Sequence, residues 1–305
     1  MDVYLVQPRG FCAGVRRALE IVKQTLEQYG APIYVRHEIV HNKHVIEDLK
    51  KQGVIFIDEL SQITDSSRPV IFSAHGVPQS VFCEAEQKNL KIIDATCPLV
   101  NAVHQQVKKL EKNGAEVIVI GKAEHPEILG TVGQLKNPQQ AHIVANLAEA
   151  KNLNIAKNTE VGLVTQTTLS VDETKEIAAY LKEKYPHLKN ASQPNICFAT
   201  TNRQKAVREL AQKVSDILII GSKNSSNSRH LKEAALYHGA KRAWLIDDAS
   251  EAPWTELDNC QAVGISAGAS APEYLTEELI KALQQRYGNI NIYNVIVVEE
   301  NISFK

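Results

Sequence analysis

Five cysteines are scattered through the 305 residues, and three of them share one setting. Cys12 stands in GFCAGVRRAL, after the strand-like VYLVQ and ahead of Val15, Ala18, Leu19 and Val22 at helical spacing. Cys97 closes KIIDATC; Pro98 suits a first helical turn, and Val100, Val103, Val107 and Leu110 continue the helical pattern. Cys197 follows the short apolar NIC and leads into Ala206, Val207, Leu210, Ala211 and Val214. The intervals are 85 and 100 residues, which reads as three related α/β units of ordinary domain size. A thiol at a helix N-terminus ionises more readily, because the macrodipole favours the thiolate. Three such thiolates brought together would ligate zinc or an iron–sulfur cluster. If the metal is a 4Fe-4S cluster, three ligands leave one iron open to substrate as a Lewis acid. Cys83 in VFCEAEQ and Cys260 in LDNCQAV lack this context and read as structural thiols.

Polar loops add a second chemistry. GSKNSSNS (221–228) and GISAGASAP (264–272) each pass from a strand through small residues to a helix. Exposed N–H groups and short hydroxyl or amide side chains there can cradle an anion such as phosphate, although ordinary helix capping uses the same residues. His41 in HEIVHN, His75 in SAHGVP and His125 in EHPE end apolar runs or border Gly or Pro, where α/β sheets place their sites. Together they favour an anion pocket, with Glu127 as the candidate proton donor beside His125.

Two motif matches mislead. His37-Glu38-Ile39-Val40-His41 fits H-E-x-x-H, but that zinc motif needs a helix, and here it follows the strand PIYVR. Gly264-Ile265-Ser266-Ala267-Gly268 fits the hydrolase elbow, yet no histidine follows His238 to complete the triad in order. Neither a G-x-G-x-x-G after a strand nor a phosphate-binding P-loop is present.

The elements that must position these residues are β-rich runs alternating with amphipathic helices: PIYVR, GVIFI, VIFSAHG, KIIDATC, EVIVIGK, VGLVTQTT, DILIIGS, RAWLIDD and AVGISAG. Ser170 and Glu173 form an S-x-x-E box that opens a helix running towards Tyr185. The alternation predicts an α/β fold with largely parallel sheets. A composition of 44% hydrophobic and 23% charged residues with net charge -1 is that of a globular chain, without the global field that nucleic acid or an anionic membrane would require. Apolar runs are far shorter than the ~20 residues of a bilayer span. No charged-then-apolar leader precedes Val3, so a cytoplasmic location is expected, and five dispersed cysteines argue against a disulfide framework.

Nine ordered segments — GFCAGVRRAL, RHEIVHN, SAHGVP, DATCPLV, EHPEILGT, TQTTLSVDET, CFATTNRQ, GSKNSSNS and GASAP — closely resemble the LytB family of 4-hydroxy-3-methylbut-2-enyl diphosphate reductases. The resemblance implies three similar α/β domains in a pseudo-threefold, trefoil-like arrangement around a central iron–sulfur cavity. Their expected extents are 1–13 with 194–305, 14–96, and 97–193. It implies one 4Fe-4S cluster on Cys12, Cys97 and Cys197 with one open iron. His41, His75 and His125 would line the cavity, and Ser225, Ser226, Asn227 and Ser270 would hold the diphosphate. Glu127 would be the proton source, and Thr167, or its neighbour Thr168, would meet the substrate hydroxyl. The reaction would be a two-electron reductive dehydroxylation giving isopentenyl and dimethylallyl diphosphate, the last step of the non-mevalonate pathway. A ferredoxin or flavodoxin would supply electrons, since the chain carries no flavin or nicotinamide motif. The rival reading is a non-catalytic anion-binding or redox-sensing iron–sulfur protein.

Overall fold

Strand and helix alternate along nearly the whole chain in the computed structural model, which describes residues 1–156, 158–190 and 195–304. In chain order the elements begin β1 (Asp2–Gln7), α1 (Ala13–Tyr29), β2 (Ile33–Arg36), α2 (Lys43–Lys51), β3 (Val54–Ile57), β4 (Val70–Phe72), α3 (Gln79–Gln87) and β5 (Ile92–Asp94). Next come α4 (Pro98–Lys112), β6 (Glu116–Ile120), α5 (Pro126–Val132), β7 (Ala141–Val144), α6 (Leu147–Asn152), β8 (Val161–Thr165) and α7 (Val171–Lys184). The last are α8 (Phe198–Ala211), β9 (Asp216–Ile220), α9 (Ser226–Tyr237), β10 (Arg242–Ile246), α10 (Trp254–Leu257), β11 (Ala262–Ala267), α11 (Glu273–Tyr287) and β12 (Asn291–Ile296).

The elements fall into two units. The first comprises residues 1–16, 41–47 and 198–303, built on one sheet of order β10-β9-β11-β1-β12. Every pairing in it is parallel, with Leu5 opposite Ile265 and Ala267 opposite Ile220. Strand β9 shows why a continuous apolar run is needed. Leu218 and Ile220 pack with Leu275, Leu279 and Leu283 of α11, while Ile217 and Ile219 pack with Val207 and Leu210 of α8 and Leu231 of α9.

The second unit comprises residues 17–40 and 48–197 and holds two parallel sheets. One has the order β3-β2-β4-β5 and the other β7-β6-β8. Tyr34, Val70, Phe72 and Val81 form a core on the former. Val103, Val107 and Leu110 of α4 pack on one face of the latter, against Val117, Val119 and Val164. Ile177 and Leu181 of α7 cover its other face against Ile118, Ile120 and Leu163. Ser170 caps α7, its hydroxyl accepting the Glu173 N–H at 3.3 Å.

Strands β7 and β12 lie outside the apolar runs of the sequence, and both are sheet edges. β12 is almost wholly exposed and β7 half-buried, so neither needs apolar residues on two faces. The expected boundary at 193/194 lies outside the described residues. Among the described residues no helix is long and apolar enough to cross a membrane.

Candidate active site

Parallel strands release their loops at one sheet edge, the carboxyl ends, which is where the chemistry-bearing residues of each unit gather. In the second unit β6 and β8 are neighbours, with Ile120 opposite Thr165. Glu127, reached from β6 through the first turn of α5, therefore meets Thr167, two residues past β8. The Thr167 N–H donates to Glu127 Oε1 at 2.6 Å and its hydroxyl to Oε2 at 2.9 Å. Glu127 is only 2% exposed. Burial pushes its carboxyl from 4.5 up to about 7, outweighing the two Thr167 bonds, which favour the charged form. The result is a carboxyl that holds a proton near neutrality, the property of a general acid.

His125 caps the same helix, Nδ1 accepting the Glu127 N–H at 3.1 Å. An accepting Nδ1 in a neutral ring leaves the proton on Nε2, so His125 is a hydrogen-bond donor through that atom. Its ring stands edge-on to His75, with centroids 5.7 Å apart. His75 follows β4, and Ser73 Oγ lies 3.4 Å from its Nδ1. Cys97 follows β5, the neighbour of β4, and donates its N–H to Ala74 O at 3.0 Å. Cys197 donates its N–H to Thr167 O at 3.1 Å, tying that thiol to the threonine loop. Thr168 is oriented differently: it is half-buried and its Oγ1 accepts from Gln166 Nε2 at 3.1 Å.

In the first unit β9 and β11 are neighbours, so the two Ser/Asn-rich loops adjoin. Ser225 caps α9, accepting from the Ser228 N–H at 3.3 Å and from its hydroxyl at 3.0 Å. Ser226 and Asn227 open that helix and are buried, Ser226 Oγ lying 3.4 Å from His230 Nδ1. Asn227 Oδ1 accepts the Ala269 N–H at 2.8 Å, and Ala269 O accepts the Cys12 N–H at 3.0 Å. The Ser270 hydroxyl donates to His41 O at 2.9 Å. Ser222 and Asn42, which the sequence reading passed over, hold the same segment. Ser222 Oγ accepts the Lys43 N–H at 3.0 Å, and Asn42 Oδ1 caps α2 through Val45 N–H at 3.1 Å. Ser222 lies in GSKNSSNS and Asn42 in RHEIVHN, and a hydrogen-bonding side chain beside a helix start is the signal that marks them.

All five cysteines are thiols. Cys12, Cys97 and Cys197 are half-buried and each immediately precedes a helix, as the sequence pattern predicts. This donor chemistry fits an iron–sulfur cluster. Among the described residues no three His, Cys, Asp or Glu side chains are gathered to hold a single metal ion. Cys83 lies exposed on α3; Cys260 is 3.3 Å from Arg242 Nη2, and burial raises its thiol pKa. The misleading motifs resolve physically. Residues 37–41 are non-helical, with His37 at φ 59°, and Ser266 is fully buried inside β11 rather than on a turn.

Comparison with known proteins places this chain in a family. The curated 4-hydroxy-3-methylbut-2-enyl diphosphate reductases of Haemophilus ducreyi and Cereibacter sphaeroides are 48% and 46% identical to it. Each match covers 100% of this chain, and 96% and 95% of the respective relatives. A solved structure of the E-1-hydroxy-2-methyl-but-2-enyl-4-diphosphate reductase of Plasmodium falciparum is 37% identical, with TM-score 0.93 over 98% of this chain and 93% of its own. The sequence pattern described as LytB protein matches residues 3–284, and on that span the chain belongs to the LytB protein family.

Proposed function

We propose that this chain is the iron–sulfur reductase that converts (E)-4-hydroxy-3-methylbut-2-enyl diphosphate into isopentenyl and dimethylallyl diphosphate. In this reading the substrate takes up two electrons and two protons, its allylic carbon–oxygen bond breaks, and the oxygen leaves as water. The names of the relatives support the reaction class. The observation that carries the proton chemistry is Glu127, buried, held by both donors of Thr167 and with its pKa near 7.

Cys12, Cys97 and Cys197 would hold a 4Fe-4S cluster. When bound, such a cluster supplies electrons one at a time and an iron without a protein ligand as Lewis acid. Glu127 stores the proton on Oε2, 2.9 Å from Thr167 Oγ1. With that proton in place, Oγ1 becomes the acceptor and the threonine hydroxyl turns its own hydrogen to the substrate hydroxyl. Proton movement along this pair delivers one proton to the leaving oxygen. His125 donates through Nε2, and His75 and His41 line the site. Ser225, Ser226, Asn227 and Ser270 bind the diphosphate with hydroxyl, amide and helix N-terminal donors, which stabilise an anion without lysine. The Ser270 bond to His41 O is then exchanged for one to phosphate. A ferredoxin or flavodoxin delivers the electrons, in the cytoplasm. The domain extents that go with this reading are 1–13 with 194–305, 14–96 and 97–193.

The test is a single-turnover assay of anaerobically purified protein with a reduced artificial electron donor. About four irons per chain and stoichiometric formation of both products are expected. A substrate that binds but is never reduced would favour the sensing protein instead.

A further inference from the structure

The loop between β1 and α1 is fixed from two sides, and only one of them belongs to the proposed site. On that side the Gly10 N–H donates to Ala267 O at 3.2 Å and the Cys12 N–H to Ala269 O at 3.0 Å. Arg9 Nε and Nη2 reach Glu273 Oε1 at 3.1 and 2.5 Å. Gly10 has φ +66°, and a Cβ there would lie 3.3 Å from both Ala271 O and Glu273 Oε2. The turn thus admits little but glycine.

On the other side stands Arg203 of α8, 1% exposed. Its Nε and Nη2 donate to Gly10 O at 3.1 and 2.8 Å. Its Nη1 donates to Ala199 O at 2.9 Å and to both oxygens of Glu300, at 3.1 and 3.0 Å. Asn202 Nδ2 adds a bond to Glu300 Oε1 at 3.0 Å. The tail that carries Glu300 continues from β12 beside β1, where the Val297 N–H donates to Gln7 O at 3.0 Å. A guanidinium with a planar fork of donors can serve two acceptors at once, but burying its charge is costly without a counter-charge. Glu300, itself 9% exposed, provides it. That residue lies beyond the span matched by the family, which ends at residue 284.

We propose that Glu300, acting through Arg203, is a positioning residue for Cys12. The C-terminal tail neutralises Arg203, Arg203 holds the Gly10 carbonyl, and the Gly10 turn sets where the Cys12 thiol points. The inference rests on Cys12 being a cluster ligand, as proposed above. An open cavity of about 420 Å³ borders Arg203, Glu300, Arg9 and Arg16. Water can therefore reach the guanidinium once Glu300 is shortened, so Glu300→Ala is expected to fold.

The test uses full-length holoenzyme of wild type, Glu300→Ala, Glu300→Gln and Arg203→Met. Hydrogen exchange of the peptide spanning residues 9–13 is read beside the paramagnetic resonance spectrum of the reduced cluster at matched iron content. Expected are about tenfold faster exchange confined to that peptide and to the tail, and an altered spectrum, in Glu300→Ala and Arg203→Met. Glu300→Gln, which keeps an acceptor for Arg203, should lie closer to wild type. Unchanged local exchange and an unchanged spectrum in Glu300→Ala would overturn the proposal, as would exchange raised uniformly over the whole chain. Should Arg203→Met fail to fold, the two Glu300 variants decide. Wild-type protein that binds no iron would refute the ligand assignment; faster exchange at residues 9–13 would then still establish the clamp.

Discussion

Thr167 grips Glu127 with two donors, its backbone N–H at 2.6 Å and its hydroxyl at 2.9 Å, across 40 residues of sequence. The arrangement accommodates either protonation state of the carboxyl. Glu127→Gln reproduces the neutral form, its carbonyl accepting the N–H and its amide donating to Oγ1, but it has no proton to give. Cluster content and diphosphate binding should be retained, while turnover falls by about 10²–10⁴-fold. Turnover at the wild-type rate would remove Glu127 from the reaction.

The same carboxyl predicts the pH profile. With its pKa near 7, wild-type turnover should decline as pH rises through that value, because the proposed proton donation needs the acid form. Residual turnover of Glu127→Gln should lack this limb. A decline on the acid side alone would assign the titration to another group.

Stability should follow the opposite group logic from a salt-bridged carboxylate. Folding raises the Glu127 pKa from 4.5 to about 7, so between these values the folded state holds a proton that the unfolded chain has released. Stability is then full below pH 4.5 and lost as pH rises through about 7, by roughly 3 kcal/mol for a shift of this size. Denaturant unfolding of Glu127→Gln should show a flatter profile across that window. Identical profiles for both proteins would contradict the burial-driven shift.

The two neighbouring threonines should separate cleanly. Thr167→Val keeps the N–H bond to Glu127 but removes the hydroxyl bond that favours the carboxylate, so the Glu127 pKa should rise further and turnover should collapse. Thr167→Ser should recover much of it. Thr168→Val, whose hydroxyl meets Gln166 rather than Glu127, should stay within about twofold of wild type. Comparable losses in both valine variants would mean that Thr167 is not the relay.

Much of this candidate site is legible in the sequence because strand, thiol or polar residue and helix follow one another within a few positions. Cys97 at the end of KIIDATC and Ser225 before α9 are of this kind. What the sequence does not disclose is which distant side chain each residue meets. The choice between Thr167 and Thr168 depends on which hydroxyl faces α5, and Arg203 and Glu300 are joined across 97 residues with no local signature. Edge strands escape for a related reason: β12 borders solvent, so its Tyr293 and Ile296 are exposed and no buried run marks it.

Among the thiols, serine at Cys12, Cys97 or Cys197 should abolish or cripple the cluster, because a neutral hydroxyl is a poor substitute for thiolate. Iron per chain and visible absorption measure it. Cys83→Ser, at an exposed helix position, should bind iron as wild type does. Full iron content in all three single variants would refute the ligand set.

The His75 turn depends on a glycine and on a buried, uncharged histidine. Gly76 has φ +76°, and a Cβ there would lie 2.6 Å from Cε1 of His104. Burial, and then Lys108, lowers the His104 pKa to about 4, so this ring packs against the turn in its neutral form. Gln134 fastens the other flank, donating to Val77 O at 2.8 Å and Gly130 O at 2.9 Å. Gly76→Ala forces either the strained backbone or the His104 ring to shift, at a cost of about 1–3 kcal/mol. It should also move the imidazole resonances of His75 and His125, whose rings are in edge contact. Lower thermal stability with both sets of resonances unmoved would show that the glycine serves the fold alone and leaves the histidine pair untouched.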